Sequence, residues 1–209
     1  MANVKQFSKK QSGSKKLSNN FKIKEFACKD GSDTILIDLD MINVLQKIRD
    51  LGGAITINSA YRTVSWNRKQ GGARKSYHLY GRAFDIRCAG LKLDDICAIA
   101  NTLGVKGIIR YGTFVHIDSR TSTYHATSSG TRKNYGKYHI PFSTNIKVGS
   151  RGTNTGIVQF KLNSLGYNCG NADGICGEKT KNAIINFQKN NGLVADGICG
   201  KNTWAKLFA

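Results

Sequence analysis

Between Asp38 and Leu51, apolar Ile42, Val44, Leu45 and Ile48 recur at helical spacing, and Gly52-Gly53 closes the run, so the pattern predicts a helix. Leu93 to Leu103 repeats the amphipathic spacing and stops at Gly104, predicting a second helix. Ala54 to Ala60 reads as a strand, and residues 63–70 as helical or irregular chain before Gly71-Gly72. Ala83 to Cys88 alternates, placing Ala83, Asp85 and Arg87 on one face and Phe84, Ile86 and Cys88 on the other. Val105 to Tyr111 and Phe114 to Asp118 predict a hairpin turning near Gly112, with residues 114, 116 and 118 sharing a face. Helices beside a few mostly antiparallel strands imply an α+β domain with a small antiparallel sheet.

Beyond residue 145 the pattern changes. Asn171-Ala-Asp-Gly-Ile-Cys-Gly177 returns as Val194-Ala-Asp-Gly-Ile-Cys-Gly200, each copy a turn leading into a helix. Three helical runs follow, at about Thr155–Leu165, Glu178–Asn190 and Lys201–Phe208, so this part reads as a small all-α domain of three helices. The expected organisation is a first domain over residues 1–137 with residues 1–20 a basic mobile tail, a linker over 138–146 containing Pro141, and a second domain over 147–209.

The chain has four histidines, and two lie in patterned segments beside aspartates: Ser76-Tyr-His78-Leu-Tyr-Gly81-Arg-Ala83-Phe-Asp85, and Phe114-Val-His116-Ile-Asp118. His78 would approach from a loop, Asp85 and His116 from strands. If the strands are neighbours the three converge on one divalent ion, leaving a fourth position for water or substrate. The competing reading is a structural histidine and a turn or salt-bridge aspartate, since neither His-Glu-x-x-His nor paired Cys-x-x-Cys spacing is present.

The first segment, together with Ser59-Ala60-Tyr61-Arg62 and the Val115-His116 strand, resembles the LAS metallopeptidases, which include zinc D-Ala-D-Ala carboxypeptidases and phage L-alanyl-D-glutamate peptidases. The similarity runs from about Leu17 to about Arg120. It implies that His78, Asp85 and His116 hold Zn2+, and that Arg62 and Ser76 contact substrate. A guanidinium suits a carboxylate, although Arg62 could equally serve a structural salt bridge. The family's Glu-x-x-Trp-His base falls here on Thr113, and its alternative histidine on Phe114. Asp118 is the nearest carboxylate, either a base acting on water or a group that orients a ligand. Tyr80 and Tyr111 are candidates for carbonyl polarisation, substrate contact or packing. The implied activity is zinc-dependent hydrolysis of a peptide bond in peptidoglycan.

Val148-Gly-Ser-Arg-Gly152, Phe187-Gln-Lys-Asn-Asn-Gly-Leu193 and the repeated Asp-Gly-x-x-Gly turns resemble a peptidoglycan-binding domain. The pair of resemblances implies an endolysin of phage type; the alternatives are a wall-binding protein that keeps a structural metal, and a host autolysin. Of the six cysteines, Cys176 and Cys199 occupy matching places in the repeat and fit small buried thiols, with a bridge between them left open.

Charge adds one element. The formal net charge is +19, of which residues 1–24 carry +7 through seven lysines and no acid. Such a surface favours polyanions. Anionic wall polymers fit the resemblance, and no common nucleic-acid motif is present. No apolar run of membrane-spanning length and no export signal is visible, so the expectation is a monomer held in the host cytoplasm and acting at the wall after release.

Overall fold

The computed structural model describes residues 2–135 and 142–209. They form two compact units, one running to Tyr135 and the other beyond it.

In the first unit, β1 (Val4–Ser8) pairs antiparallel with β2 (Thr34–Asp38). A short α1 (Lys9–Ser12) follows β1, its first turn capped by the Ser8 hydroxyl. Helix α2 (Leu39–Gly52) starts where the Asp38 carboxylate caps the Asp40 N–H, and ends at Gly53 with φ 82°. The main sheet has five strands in the order β3-β4-β6-β5-β7: β3 (Ile55–Ser59), β4 (Ala83–Cys88), β5 (Gly107–Arg110), β6 (Val115–Asp118) and β7 (Tyr124–Thr127). Helices α3 (Val64–Lys69) and α4 (Leu93–Thr102) complete the unit. Phe84 and Ile86 of β4, Val115 and Ile117 of β6 and Ile108 of β5 are fully buried, as are Ile96 and Ala100 of α4, which packs on these three strands. The alternation of β4 thus resolves as expected, Phe84 and Ile86 entering the core.

The main sheet is mostly antiparallel, as expected; among the described residues β7 alone runs parallel, to β5. Residues 119–123 hop from the Asp118 end of β6 over the start of β5, so β7 begins at the same end as β5 and shares its direction.

Residues 2–20 are not a mobile tail. β1 carries a full antiparallel register with β2, and Asp33 accepts from the Ser8 hydroxyl and the Lys10 N–H at 2.7 Å each. Residues 13–24 double back through Leu17 N–Phe21 O, Ile23 N–Lys15 O and Lys24 N–Gly13 O bonds. Phe21, Ile23 and Phe26 bury themselves fully and anchor the loop. The lysine count hid a strand.

The stretch expected as a linker is in part packed chain. Residues 138–141, with Pro141, lie outside the described residues, but Ile146 exchanges both backbone bonds with Cys199 and is 1% exposed. Phe142 lies edge-on to Trp204 at 5.9 Å.

The second unit holds α5 (Thr153–Ser164), α6 (Glu178–Asn190) and α7 (Lys201–Leu207). Its repeat is organised by two buried glutamines. The Gln159 amide donates to Asp173 Oδ1, Ile175 O and Thr180 Oγ1, each at 3.0 Å, and accepts from Gly174 N. Gln188 makes the same four contacts one repeat later, with Asp196, Ile198, Thr203 and Gly197. Each glutamine ties the carboxyl half of one helix to the turn that launches the next. All six cysteines are buried free thiols.

Candidate metal centre and cleft

His78 sits on a 3-10 turn, Tyr77–Tyr80, between two devices that fix it. At the front, the Ser76 hydroxyl accepts the His78 N–H at 3.4 Å. At the back, Gly81 adopts φ +65°, and a Cβ there would lie 2.3 Å from the carbonyl of Leu36, so only glycine fits. The turn is pinned between β2 and the chain after β3 by the Asp38 N–Gly81 O and Arg62 N–His78 O bonds. Asp85 and His116 come from adjacent strands, directly opposite one another in the β4–β6 register. Cross-strand neighbours share a face, which brings the two side chains together.

The three side chains meet at one point. His78 Nε2 lies 3.2 Å from Asp85 Oδ1 and 3.2 Å from His116 Nδ1, and His116 Nδ1 lies 2.9 Å from Asp85 Oδ1. The other ring nitrogens are engaged. His78 Nδ1 donates to the carbonyl of Ala60 at 2.6 Å. His116 Nε2 donates to Asp118 Oδ2 at 3.0 Å. A carbonyl only accepts, so the His78 proton sits on Nδ1; both nitrogens of His116 face carboxylates, and a proton on Nε2 leaves Nδ1 free to ligate. With neutral rings, two imidazole lone pairs and a carboxylate oxygen then face each other with no proton to share. Either a proton on His116 or a cation must resolve this. Burial lowers the His116 pKa, but its bonds to Asp118 and Asp85 outweigh burial and raise it. The triangle also fits a metal: a tetrahedral ion with ligands at about 2.0–2.1 Å has ligand–ligand edges of about 3.3 Å. Burial alone would raise the Asp85 pKa; its interactions with His116 and His78 outweigh burial and hold it well below the carboxylate range.

Asp118 stands behind His116. It is fully buried and accepts from Arg120 three times, at Nε (2.8 Å), Nη2 (2.6 Å) and the backbone N–H (3.0 Å). Burial raises its pKa, and the bonds from His116 and Arg120 overcome this and hold it at about 2. Gly107, opposite Asp118 in the β5–β6 register, has no side chain because a Cβ would lie 2.1 Å from the carboxylate. Arg120 is clasped between the Tyr77 and Tyr124 rings at 5.0 and 4.8 Å.

Arg62 donates from Nη2 to Asp85 Oδ2 at 2.7 Å and from Nε to Ser59 Oγ at 2.8 Å. It therefore grips the carboxylate of the triangle and also borders the cleft. Ser76 borders it too, while its hydroxyl caps the His78 turn. The cleft, about 490 Å3, is further walled by Tyr77, Tyr111, Phe114 and Arg120. Tyr111 stacks on Phe114 at 4.4 Å, whereas Tyr80 is exposed and does not line the cleft. Asp85 is the only carboxylate lining the cleft among the described residues. Burial pushes the Cys97 and Cys199 thiols up to about 12, which removes them as ready nucleophiles.

Sequence reasoning brought out the three converging residues and offered Arg62 a salt bridge as one of two readings; it missed the Ala60 carbonyl, Arg120 and the identity of the Arg62 partner, Asp85. Arg120 was open to discovery, since it follows Asp118 at a spacing of two.

Residues 19–118 match the peptidase M15 family, and residues 151–207 match the peptidoglycan binding domain family. Over 93 residues the chain is 32% identical to the peptidoglycan L,D-endopeptidase MepK of Escherichia coli, covering 40% of this chain and 51% of that protein. Over 57 residues it is 40% identical to the N-acetylmuramoyl-L-alanine amidase CwlM of Mycobacterium tuberculosis, covering 27% and 14%. The solved Burkholderia AP3 phage endolysin is 38% identical over 31% of this chain and 24% of its own, with a TM-score of 0.30. The chain spans about half or less of the length of these relatives. No described helix is long and apolar enough to cross a membrane.

Proposed function

We propose that this chain hydrolyses a peptide bond in peptidoglycan with the help of a zinc ion, and that its second domain keeps it on the wall; the matches of residues 19–118 to the peptidase M15 family and of residues 151–207 to the peptidoglycan binding domain family support this reading. The observation that carries this reading is the triangle of His78 Nε2, Asp85 Oδ1 and His116 Nδ1 at the floor of an open cleft. Zinc held there would polarise a scissile carbonyl and acidify a water molecule.

The chain's own residues do the positioning. The Ala60 carbonyl holds His78 in the tautomer that frees Nε2, and Asp118 does the same for His116 Nδ1. Arg62 holds Asp85 Oδ2, which leaves Oδ1 aimed at the centre. The remaining edge of the cleft, with Ser76, Tyr77, Tyr111 and Arg120, offers donors and ring faces to a peptide. Asp118 points at the outer nitrogen of His116 and is saturated by Arg120, which supports its role as an orienting group over a base. The MepK relatives are named as L,D-endopeptidases, so an L,D bond is the first substrate to test. The chemistry suits an endolysin acting at the wall.

A second reading has its own support. Thr113 stands where a glutamate base belongs in many LAS peptidases, and the cleft offers no other carboxylate among the described residues. A wall-binding protein with a structural metal would look the same. Digestion of purified Gram-positive sacculi, with and without a chelator, separates the two. Chelator-sensitive release of fragments, with new termini assigned by mass spectrometry, is the expected result. Wall binding with intact zinc and no release would favour the second reading.

A further inference from the structure

We propose that residues 2–29 form a docking surface for a linear, phosphodiester-linked anionic polymer of the cell wall. This surface would act independently of the cleft, by binding and not by hydrolysis.

Eight lysines lie here, Lys5, Lys9, Lys10, Lys15, Lys16, Lys22, Lys24 and Lys29, and every one is exposed. Their display is built into the fold. Phe21, Ile23 and Phe26 are drawn into the core, and Lys22 and Lys24, at the start of the 3-10 turn Ile23–Phe26, are left on its exposed side. Lys16 is the bridge partner of Lys22, and Ile23 N binds Lys15 O, so Lys15 and Lys16 stand on the limb opposite Lys22 and Lys24. Lys9 and Lys10 open α1 beside them.

The lysines are also uncompensated. None of the salt bridges among the described residues involves one of the eight. The neighbouring acids are turned to other work: Glu25 accepts the Lys22 backbone N–H, Asp30 the Thr63 hydroxyl, and Asp33 the Ser8 hydroxyl and the Lys10 backbone N–H. Asp33 also feels the charge of Lys10. Like charges held on an ordered scaffold repel, and a polyanion relieves that repulsion while displacing its own counterions.

The residue types narrow the partner. No arginine precedes Arg49, and the aromatic residues of the segment are buried, except Phe7, which is half-buried. Lysine acts as a hydrated point charge, whereas base recognition draws on arginine forks and exposed ring faces. This surface reads charge along a backbone, and only the half-buried Phe7 offers any ring edge on which a base could stack. That favours a sugar- or polyol-phosphate chain over nucleic acid.

The test uses the full chain, the variant K15Q/K16Q/K22Q/K24Q, and a second variant, K5Q/K9Q/K10Q/K29Q, in case the first does not fold; thermal unfolding reports which are folded. Sedimentation with Gram-positive walls is measured from 50 to 300 mM salt, with chelator present to keep the walls intact, using walls that retain their phosphodiester polymers and walls stripped of them by hydrofluoric acid. Retention of a folded variant on native walls should fall at least about tenfold at 50 mM salt. The log–log salt slope should fall by up to about 3, at about 0.7 per lost phosphate contact. Wild type and variant should bind stripped walls alike. Equal binding of wild type and variant to native walls would overturn the proposal, as would an equal loss on stripped walls, or DNA displacing the protein at lower phosphate concentration than the wall polymer. Failure of hydrolysis would leave these outcomes unchanged.

Discussion

Replacing Asp118 by Asn separates an orienting role from a base. In the structure Asp118 accepts His116 Nε2–H and three N–H groups of Arg120, and it has no exposure to the cleft. Asparagine keeps the shape but loses one acceptor oxygen and the charge. Either the Arg120 fork loses its second partner or His116 faces an amide N–H. Removing a group that orients a ligand histidine weakens metal affinity about 10- to 100-fold, or about 1.4–2.7 kcal/mol. Turnover at saturating zinc should then survive in large part. A general base would behave differently, with affinity unchanged and turnover down by about 10²- to 10⁴-fold. The assay is a zinc titration against a fluorescent chelator, paired with fragment release from sacculi at saturating zinc. Unchanged zinc affinity with lost turnover, in a variant whose unfolding midpoint shows it folded, would refute the reasoning from geometry.

Other predictions follow from single contacts. Gly81→Ala combines an αL penalty of about 1–2 kcal/mol with an overpacking cost of about 1–3 kcal/mol against the Leu36 carbonyl. Urea unfolding should show a loss within that combined range, and a neutral result would mean that the turn carrying His78 is not as tight as described. Gln188→Ala removes four hydrogen bonds of the second repeat, at about 1 kcal/mol each before relaxation. The melting point should drop, and wall retention at saturating zinc should drop with it. Acid should loosen the second unit: Asp173 and Asp196 have lowered pKa values because the Ile175 and Ile198 N–H groups and the two glutamine amides bind the carboxylates. A lowered folded pKa stabilises above the unfolded value of 3.8 and the gain is lost as pH falls through the lower folded value. Unfolding midpoints followed from pH 6 to pH 2.5 should therefore decline below about pH 4, and a D173N/D196N variant should decline less.

Much of the site and of the second domain was legible in the chain itself, for a physical reason: the signals are local. Helical spacing marks α2 and α4, alternation marks β4, and two copies of Asp-Gly-Ile-Cys-Gly mark the turns before α6 and α7. The residues His78, Asp85 and His116 lie in short patterned segments whose side-chain directions follow from turn and strand geometry alone. What only the tertiary structure decided depends on partners remote in sequence. Residues 4–8, inside the Lys-rich start of the chain, become a strand because β2 is there to pair with them. β7 runs parallel because the free edge of β5 lies within reach of the hop from β6. Arg62 lies beside Asp85 rather than awaiting a substrate carboxylate alone, and Asp118 faces the back of His116 rather than the cleft, because the β3–β4–β6 register sets which carboxylate meets which base. Side-chain type and period state what a residue is able to do; the register of strands brought together by folding selects which of those abilities is used.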